Sequence, residues 1–285
     1  MNIATLNPQL GVVIVDYNSH QQSLEAALAA AETAGRPGIA VIVDNGSSSP
    51  LESALSWIER LSGLGWQHEV VALPANRGFA GGVNAGLARL GDQADFVLLL
   101  NPDARPKPGC LPALLDEMTL HAEASAVGPM LTSADGAPHR YDHGQEPTLL
   151  NQLLLRLDVL LRSPVAGPFE AEEADWISAG CMLLRARALR QVGTFDEGFF
   201  LYFEDIDWCR RARQAGWTIR YQPLVQAVHT NRPLYGERWR RLLYMRGMRR
   251  YYLKHYGAGS AVALSAGQQL YQIAISWLLR SRLIK

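Results

Sequence analysis

The chain has 285 residues, 48% hydrophobic and 19% charged, enough apolar material for a sizeable core and too much for a disordered or fibrous protein. Lys+Arg 27 balances Asp+Glu 27, which removes any bulk electrostatic case for nucleic acid as a partner. Cys110, Cys181 and Cys209 are odd in number with no CxxC spacing, which argues against a disulfide framework or structural zinc and for a reducing compartment. The opening MNIATLNPQL lacks a basic segment followed by an apolar run, so no signal peptide is expected.

The first 130 residues alternate short apolar runs with helical spacings. Gly11–Tyr17, Ile39–Asp44, Glu69–Leu73, Phe96–Leu100 and Ala126–Met130 read as strands buried on both faces. Between them, Ser23–Ala34, Leu51–Leu61 and Gly82–Leu90 read as helices. This alternation predicts an α/β fold, a Rossmann-like and mainly parallel sheet flanked by helices. Residues 132–172 are polar and Pro-rich with a helical insert at Leu149–Leu161, a lid or acceptor-side excursion. Trp176–Leu184 returns as a strand, Asp205–Ala215 is a helix closed by Gly216, and Trp217–Tyr221 and Val225–His229 are two further strands. Domain boundaries are expected at 1–230 for a main domain, divided near residue 131, and 231–285 for a helical extension.

In open α/β sheets ligands bind beyond the carboxyl ends of the strands. Four successive ends carry Asp or Asn: Asp16-Tyr17-Asn18, Asp44-Asn45, Asn76-Arg77-Gly78 and Asn101-Pro102-Asp103. Turn chemistry favours these residues singly; all four together point to a shared polar ligand. The stretch NRGFAGGVNAG (Asn76–Gly86) is not a dinucleotide fingerprint, because GxGxxG is absent. Its glycines, Gly78 and Gly82 among them, either let backbone approach a ligand or pack a helix tightly, while Arg77 offers charge for phosphate and Asn76 and Asn84 offer amides. In FFLYFEDIDWCRRARQAGW (Phe199–Trp217) the acids Glu204, Asp205 and Asp207 crowd a helix start. They either cap the helix dipole or sit beside an apolar wall, where a carboxylate's pKa rises and general-base work becomes available. His229 ends a strand, as a structural hydrogen-bonder or as a ligand facing Asp103.

VDYNS (Val15–Ser19), VDNGSS (Val43–Ser48), NRGFAGGVNAG, LLLNPDARP (Leu98–Pro106), WISAGCMLLR (Trp176–Arg185), FLYFEDIDWCRRARQAGW and the late V-x-H at Val228, in this order, resemble an inverting glycosyltransferase of family 2 with the GT-A fold. The resemblance spans roughly residues 10–255 and is greatest to the branch containing bacterial rhamnosyltransferases. It implies transfer of a sugar from a nucleotide-diphospho-sugar, best matched by dTDP-L-rhamnose, onto a glycan acceptor such as a lipid-linked saccharide of the cell surface. Another dTDP- or UDP-sugar donor, or a non-catalytic nucleotide-sugar-binding protein, are the alternatives.

By the same resemblance, Tyr17, Asn18 and Asp44 match the nucleotide pocket, and Asn76, Gly78 and Asn84, with Arg77 and Gly82, match the loop under the donor. Asp103 matches the last position of the metal-binding acidic motif, and His229 a histidine that completes the sphere of Mg²⁺ or Mn²⁺. Asn101 stands where the family usually has the motif's first aspartate, an exchange common in the rhamnosyltransferase branch. Asp205 matches the general base with Glu204 beside it, Arg211 an arginine that orients these acids, and Trp176 and Gly180 the acceptor side.

The tail is a composition of its own. From His229 onward eleven basic residues face one acid, Glu237, and Arg238–Tyr256 interleaves arginines with Trp239, Tyr244, Tyr251, Tyr252 and Tyr256. Such a helix suits the interface of an anionic membrane, or forms a solvated helical subdomain. Gly257–Leu279 carries no charge, but Gln268, Gln269 and Gln272 make it a poor span. A cytosol-facing protein, peripheral at the inner face of the plasma membrane, is the expectation.

Overall fold

The computed structural model describes residues 9–49, 51, 55–151, 171–230 and 236–282. Strands β1 (Leu10–Asp16), β2 (Gly38–Asp44), β3 (Gln67–Ala72) and β4 (Phe96–Leu100) pair in parallel, in the order β3-β2-β1-β4. The two-residue period of a strand sends Leu10, Val12 and Ile14 to one face and Val13 and Val15 to the other. The first face is covered by α1 (His20–Ala34), α2 (Leu55–Gly63) and α4 (Cys110–Leu120). The second is covered by α3 (Gly78–Leu90), α5 (Ala186–Val192) and α6 (Glu204–Gln214). Both faces being covered explains why β1, β2 and β4 are continuous apolar runs, whereas β3, at the sheet edge, is half-exposed rather than doubly buried as expected.

Beyond β4 the sheet is mixed. β10 (Cys181–Arg185) lies antiparallel between β4 and β6 (Ala124–Thr132), and β6 pairs in parallel with β11 (Thr218–His229). The chain returns from the 132–175 excursion at the carboxyl end of the parallel strands, so β10 must run back against them. The strand expected over Trp176–Leu184 is broken. β9 (Trp176–Ile177) pairs with β7 (His143–Gly144), Ser178–Gly180 forms a turn, and β10 follows. The two strands expected after Trp217 are one, with a register shift against β6 between Gln222 and Gln226. Short β8 (Glu172–Glu173) and β5 (Ala104–Pro106) each pair antiparallel with β11, Ala104 opposite His229. Most of the insert expected at Leu149–Leu161 lies outside the described residues.

The tail forms α7 (Glu237–Arg282), two helices joined across a kink at Gly257, whose φ is 80°. It is not merely an appendage. Met248, Tyr251 and Tyr252 are buried with Phe199 and Phe203 in a third core.

Candidate active site

The loops after β1 and β2 are knitted to one another. Asp16 is fully buried and accepts hydrogen bonds from Ser19 Oγ (2.9 Å), Ser23 Oγ (2.5 Å) and Ser47 Oγ (3.3 Å), with His20 Nδ1 at 2.5 Å. Asn18, in the left-handed region at φ 53°, donates its N–H to Ser47 Oγ and accepts from Ser48 N and Oγ through Oδ1. Asp44 accepts the Ser47 and Leu51 N–H groups. Asn18 and Asp44 therefore shape the rim from which Tyr17, half-buried, projects.

The glycine-rich stretch is committed in the same way. A Cβ on Gly82 would lie 2.5 Å from Val15 Cγ1, and one on Gly86 would strike Val13. These glycines bring α3 down onto β1, the packing use of glycine. Gly78, at φ 75°, abuts the Phe200 backbone, and Phe79 N–H donates to Phe200 O at 2.7 Å. Asn76 Oδ1 accepts from Gly78 N, and buried Asn45 bridges this loop through Gly78 O and Arg77 N. Asn84 donates to Phe195 O and accepts Phe195 N–H, while Arg77 pairs with Glu197 at 2.6 Å. The amides and the arginine thus clamp the loop to residues 195–200. The sequence marks Asn45 as part of the polar end of β2 but not as this bridge, because Asn-Gly reads as a turn.

At the end of β4 three of the sequence-predicted residues meet. His229 Nε2 lies 3.3 Å from Asp103 Oδ1 and 3.1 Å from the Asn101 side-chain amide. Pairing of β5 with β11 makes this contact, since it sets Ala104 against His229. Gly180 completes the floor: a Cβ there would lie 3.1 Å from His229 Cε1, and its carbonyl accepts Asn101 N–H at 3.0 Å. His229 Nδ1 is buried with no partner among the described residues. Asp103 Oδ1 and Asn101 Nδ2 both face His229 Nε2. His139 lies beside this cluster, with ring centroids 5.5 Å from His229. Burial, with His229 alongside, holds its pKa below the usual value. No sequence signal marked His139 within the polar excursion.

The acids at the start of α6 stand on the other side of the Ser178–Gly180 turn. Ala179 N–H donates to Asp205 Oδ2 at 3.2 Å, and Ile206 N–H to Oδ1 at 2.8 Å. Burial raises the Asp205 pKa against those hydrogen bonds. Glu204 is buried, its Oε2 without a partner among the described residues. Burial first, and the Asp205 charge second, push its pKa well above the ordinary carboxylate range, so it rests as a neutral acid. Asp205 thus satisfies one N–H of the first helical turn, while Glu204 offers its free oxygen to none.

One expectation is corrected. Arg211 does not orient Glu204 or Asp205: it binds Asp207 Oδ2 at 2.9 Å and the carbonyls of Val192 and Thr194, since one helical turn carries it past the first acids. Trp176 donates Nε1–H to Gln145 O at 3.0 Å and covers Gly144, bracing the excursion. Two acids anchor the rest: Asp207, read in the sequence only as one of the acids at the helix start, and Glu146, which was missed. Asp207 receives His255 and Lys254 from α7 at 2.7 Å each. Glu146 is shared by Arg210 (2.6 Å), Arg213, Tyr251 and Tyr256 (2.7 Å).

Known proteins are similar to this chain in sequence and in fold. Residues 11–193 match the family model described as glycosyl transferase family 2. The N-acetylglucosaminyl-diphospho-decaprenol L-rhamnosyltransferase of Mycobacterium tuberculosis is 30% identical over 240 residues, covering 77% of this chain and 75% of that protein. The dTDP-rhamnosyl transferase RfbF of Shigella flexneri is 25% identical over 225 residues, 79% of this chain and 70% of its own length. In shape, the chain is similar to a mannosyltransferase of Pyrobaculum calidifontis solved with GDP-Man and Mn²⁺ (TM-score 0.62, 17% identity, 89% of this chain and 66% of that one). The chain belongs to glycosyl transferase family 2, as a GT-A-fold glycosyltransferase of its rhamnosyltransferase-like branch.

Proposed function

We propose that the protein transfers L-rhamnose from dTDP-L-rhamnose, with inversion and with the aid of a divalent cation, onto a lipid-linked saccharide that is a precursor of a cell-surface glycan. The observation that carries the reading is the Ser178–Gly180 turn, which joins a carboxylate–imidazole–amide cluster on one side to the Asp205 carboxylate on the other. The first suits a diphosphate leaving group and the second a nucleophile that must lose a proton. The rhamnosyltransferase relatives supply the choice of sugar and acceptor.

Asp103 and His229, with the Asn101 side-chain amide beside them, fit a divalent cation: a carboxylate oxygen and an imidazole nitrogen already face one another, and the amide has an oxygen to offer. Among the described residues these are too few for a complete sphere, and the donor diphosphate has the oxygens to fill it. When bound, such an ion neutralises charge developing on the departing diphosphate. Asp205, held by the Ala179 and Ile206 N–H groups, accepts the acceptor hydroxyl proton as that oxygen attacks, so no covalent enzyme intermediate is needed. Glu204, neutral, keeps a second negative charge away from the base. Tyr17 and Asp44 border the nucleotide pocket, and Asn76, Arg77, Gly78, Gly82 and Asn84 fix the loop beneath it.

Among the described residues no helix is long and apolar enough to cross a membrane. Exposed Trp239, Leu242 and Tyr244 beside arginines on α7 support peripheral contact with an anionic membrane surface. The test is incubation with dTDP-, UDP- and GDP-sugars, with Mg²⁺ or Mn²⁺ and a polyprenyl-diphospho-GlcNAc acceptor. Nucleotide release and the anomeric configuration of the product are measured. Preference for another donor removes the rhamnose assignment, and donor binding without transfer to any acceptor removes the enzymatic one.

A further inference from the structure

The cations of α7 divide into two sets. Arg250, Lys254 and His255 are spent on docking. Arg250 and Lys254 both pair with Asp196, at 3.0 and 2.7 Å, and Lys254 and His255 reach Asp207. Arg246 and Arg249, on the same stretch of helix, are exposed and have no acidic partner among the described residues. They border a groove of about 560 Å³ between α7 and residues 196–201, whose walls include Phe200, Leu201, Leu243 and Leu253.

Four cations line this groove (Arg246, Arg249, Arg250 and Lys254) against one carboxylate, Asp196. Unpaired arginines on an exposed helix are ordinary, but here they stand at the edge of an apolar cleft. A free phosphate has no use for the apolar walls, and a neutral lipid has none for the cations. The fitting ligand is an anion joined directly to a hydrocarbon chain, and arginine's planar fork suits phosphate oxygens. The wall formed by residues 199–201 continues within four residues into Glu204 and Asp205, and Phe200 O accepts Phe79 N–H from the donor loop. The groove and the base are thus built on one continuous segment, residues 196–205.

We propose that this groove binds the diphosphate and first isoprene units of the acceptor's lipid carrier, with Arg246 and Arg249 holding the phosphates. The proposal rests on the reading that the acceptor is lipid-linked, and it can be tested apart from sugar transfer. The probe is farnesyl diphosphate, titrated calorimetrically into the full chain in EDTA and saturating dTDP, so that the donor side is filled and stripped of metal. Saturable binding is expected, at least tenfold weaker in R246E/R249E, weaker for farnesol or pyrophosphate alone, and unchanged in D103N. Melting curves check that the double variant is folded, and R246K/R249K, which keeps the charge, should bind between the two.

Absence of binding, equal binding by folded R246E/R249E, or its loss in D103N overturns the proposal. So does Arg-dependent co-sedimentation with phosphatidylglycerol vesicles in the absence of farnesyl diphosphate binding, which would assign the arginines to the general membrane surface. If farnesyl diphosphate binds as expected while no sugar reaches any polyprenyl-diphospho acceptor, the groove stands and the functional reading falls.

Discussion

The carbonyl oxygen of Tyr202 faces Gly247 so closely that a Cβ at that position would lie 2.6 Å from it. Tyr202 and Phe203 hold φ of 70° and 73°, a left-handed conformation that non-glycine residues adopt at a cost and keep only when their surroundings enforce it. Phe203 is buried among Tyr251 and its neighbours on α7. The tail helix therefore seats the turn that presents Glu204 and Asp205. Gly247→Val is expected to overpack this contact by roughly 1–3 kcal/mol, lowering kcat about tenfold or more while the donor KM changes little. Steady-state kinetics with a melting curve decide the point, and wild-type kcat in a stably folded variant would remove the role given to α7.

The two acids should respond differently to loss of charge. Asp205→Asn is expected to lower kcat by about 10²–10⁴-fold, the usual worth of a general base. Glu204→Gln should keep most of the activity, because the native side chain already rests neutral. Burial raises the Asp205 pKa, and the base acts only when ionised. The wild-type kcat/KM should therefore rise with pH through a midpoint above the ordinary aspartate value. A pH–rate profile in which that limb persists in Asp205→Asn would reassign the base.

Metal dependence can be read at Asp103 and its neighbours. EDTA dialysis should abolish transfer and Mn²⁺ restore it. Asp103→Asn and His229→Ala are each expected to raise the Mn²⁺ needed for half-maximal rate by about tenfold or more. Asn101→Asp, which adds a charged oxygen, should lower it. Metal titrations of initial rate check all three, and full activity after dialysis would refute the ligand assignment.

Docking of α7 should weaken in acid. His255, Lys254 and Arg211 hold Asp207 below its ordinary pKa despite burial. Asp196, likewise against burial, is brought to about 2 by Lys254, the Gly198 N–H and Arg250. Both carboxylates are depressed in the folded state, so their stabilisation is present in full above the ordinary aspartate range and fades as pH falls through it toward 2. Melting temperature should drop between pH 5 and about 3, with a shallower drop in Asp196→Asn. Asp207→Ala removes the carboxylate shared by His255, Lys254 and Arg211, although Lys254 keeps Asp196 and Arg211 keeps two carbonyls, and should cost about 1–3 kcal/mol by urea denaturation; a loss within error would mean that the helix is held by its aromatic residues alone.

The parallel half of the sheet was legible because β1, β2 and β4 are covered on both faces and so remain apolar without interruption. The acids in the first turn of α6 were legible because three carboxylates in one turn exceed what a helix start requires. The direction of β10 was not, since a strand's residues do not record which end the chain enters from. The partners of Arg211 were equally hidden. Its helical spacing admitted Asp207, but the Val192 and Thr194 carbonyls came from another element.

Periodicity and turn chemistry reach only a few residues along the chain. Within that reach the amino-acid order alone determined the strands, their polar ends and the acidic turn. Asn101 and His229 stand 128 residues apart, and the partition of the tail's cations between Asp196, Asp207 and an open groove joins segments equally remote. Those relations were decided only when β5 paired with β11 and α7 packed against Phe199 and Phe203. Contacts of that kind depend on sheet order and close packing of the whole chain, for which no local pattern of residues is a substitute.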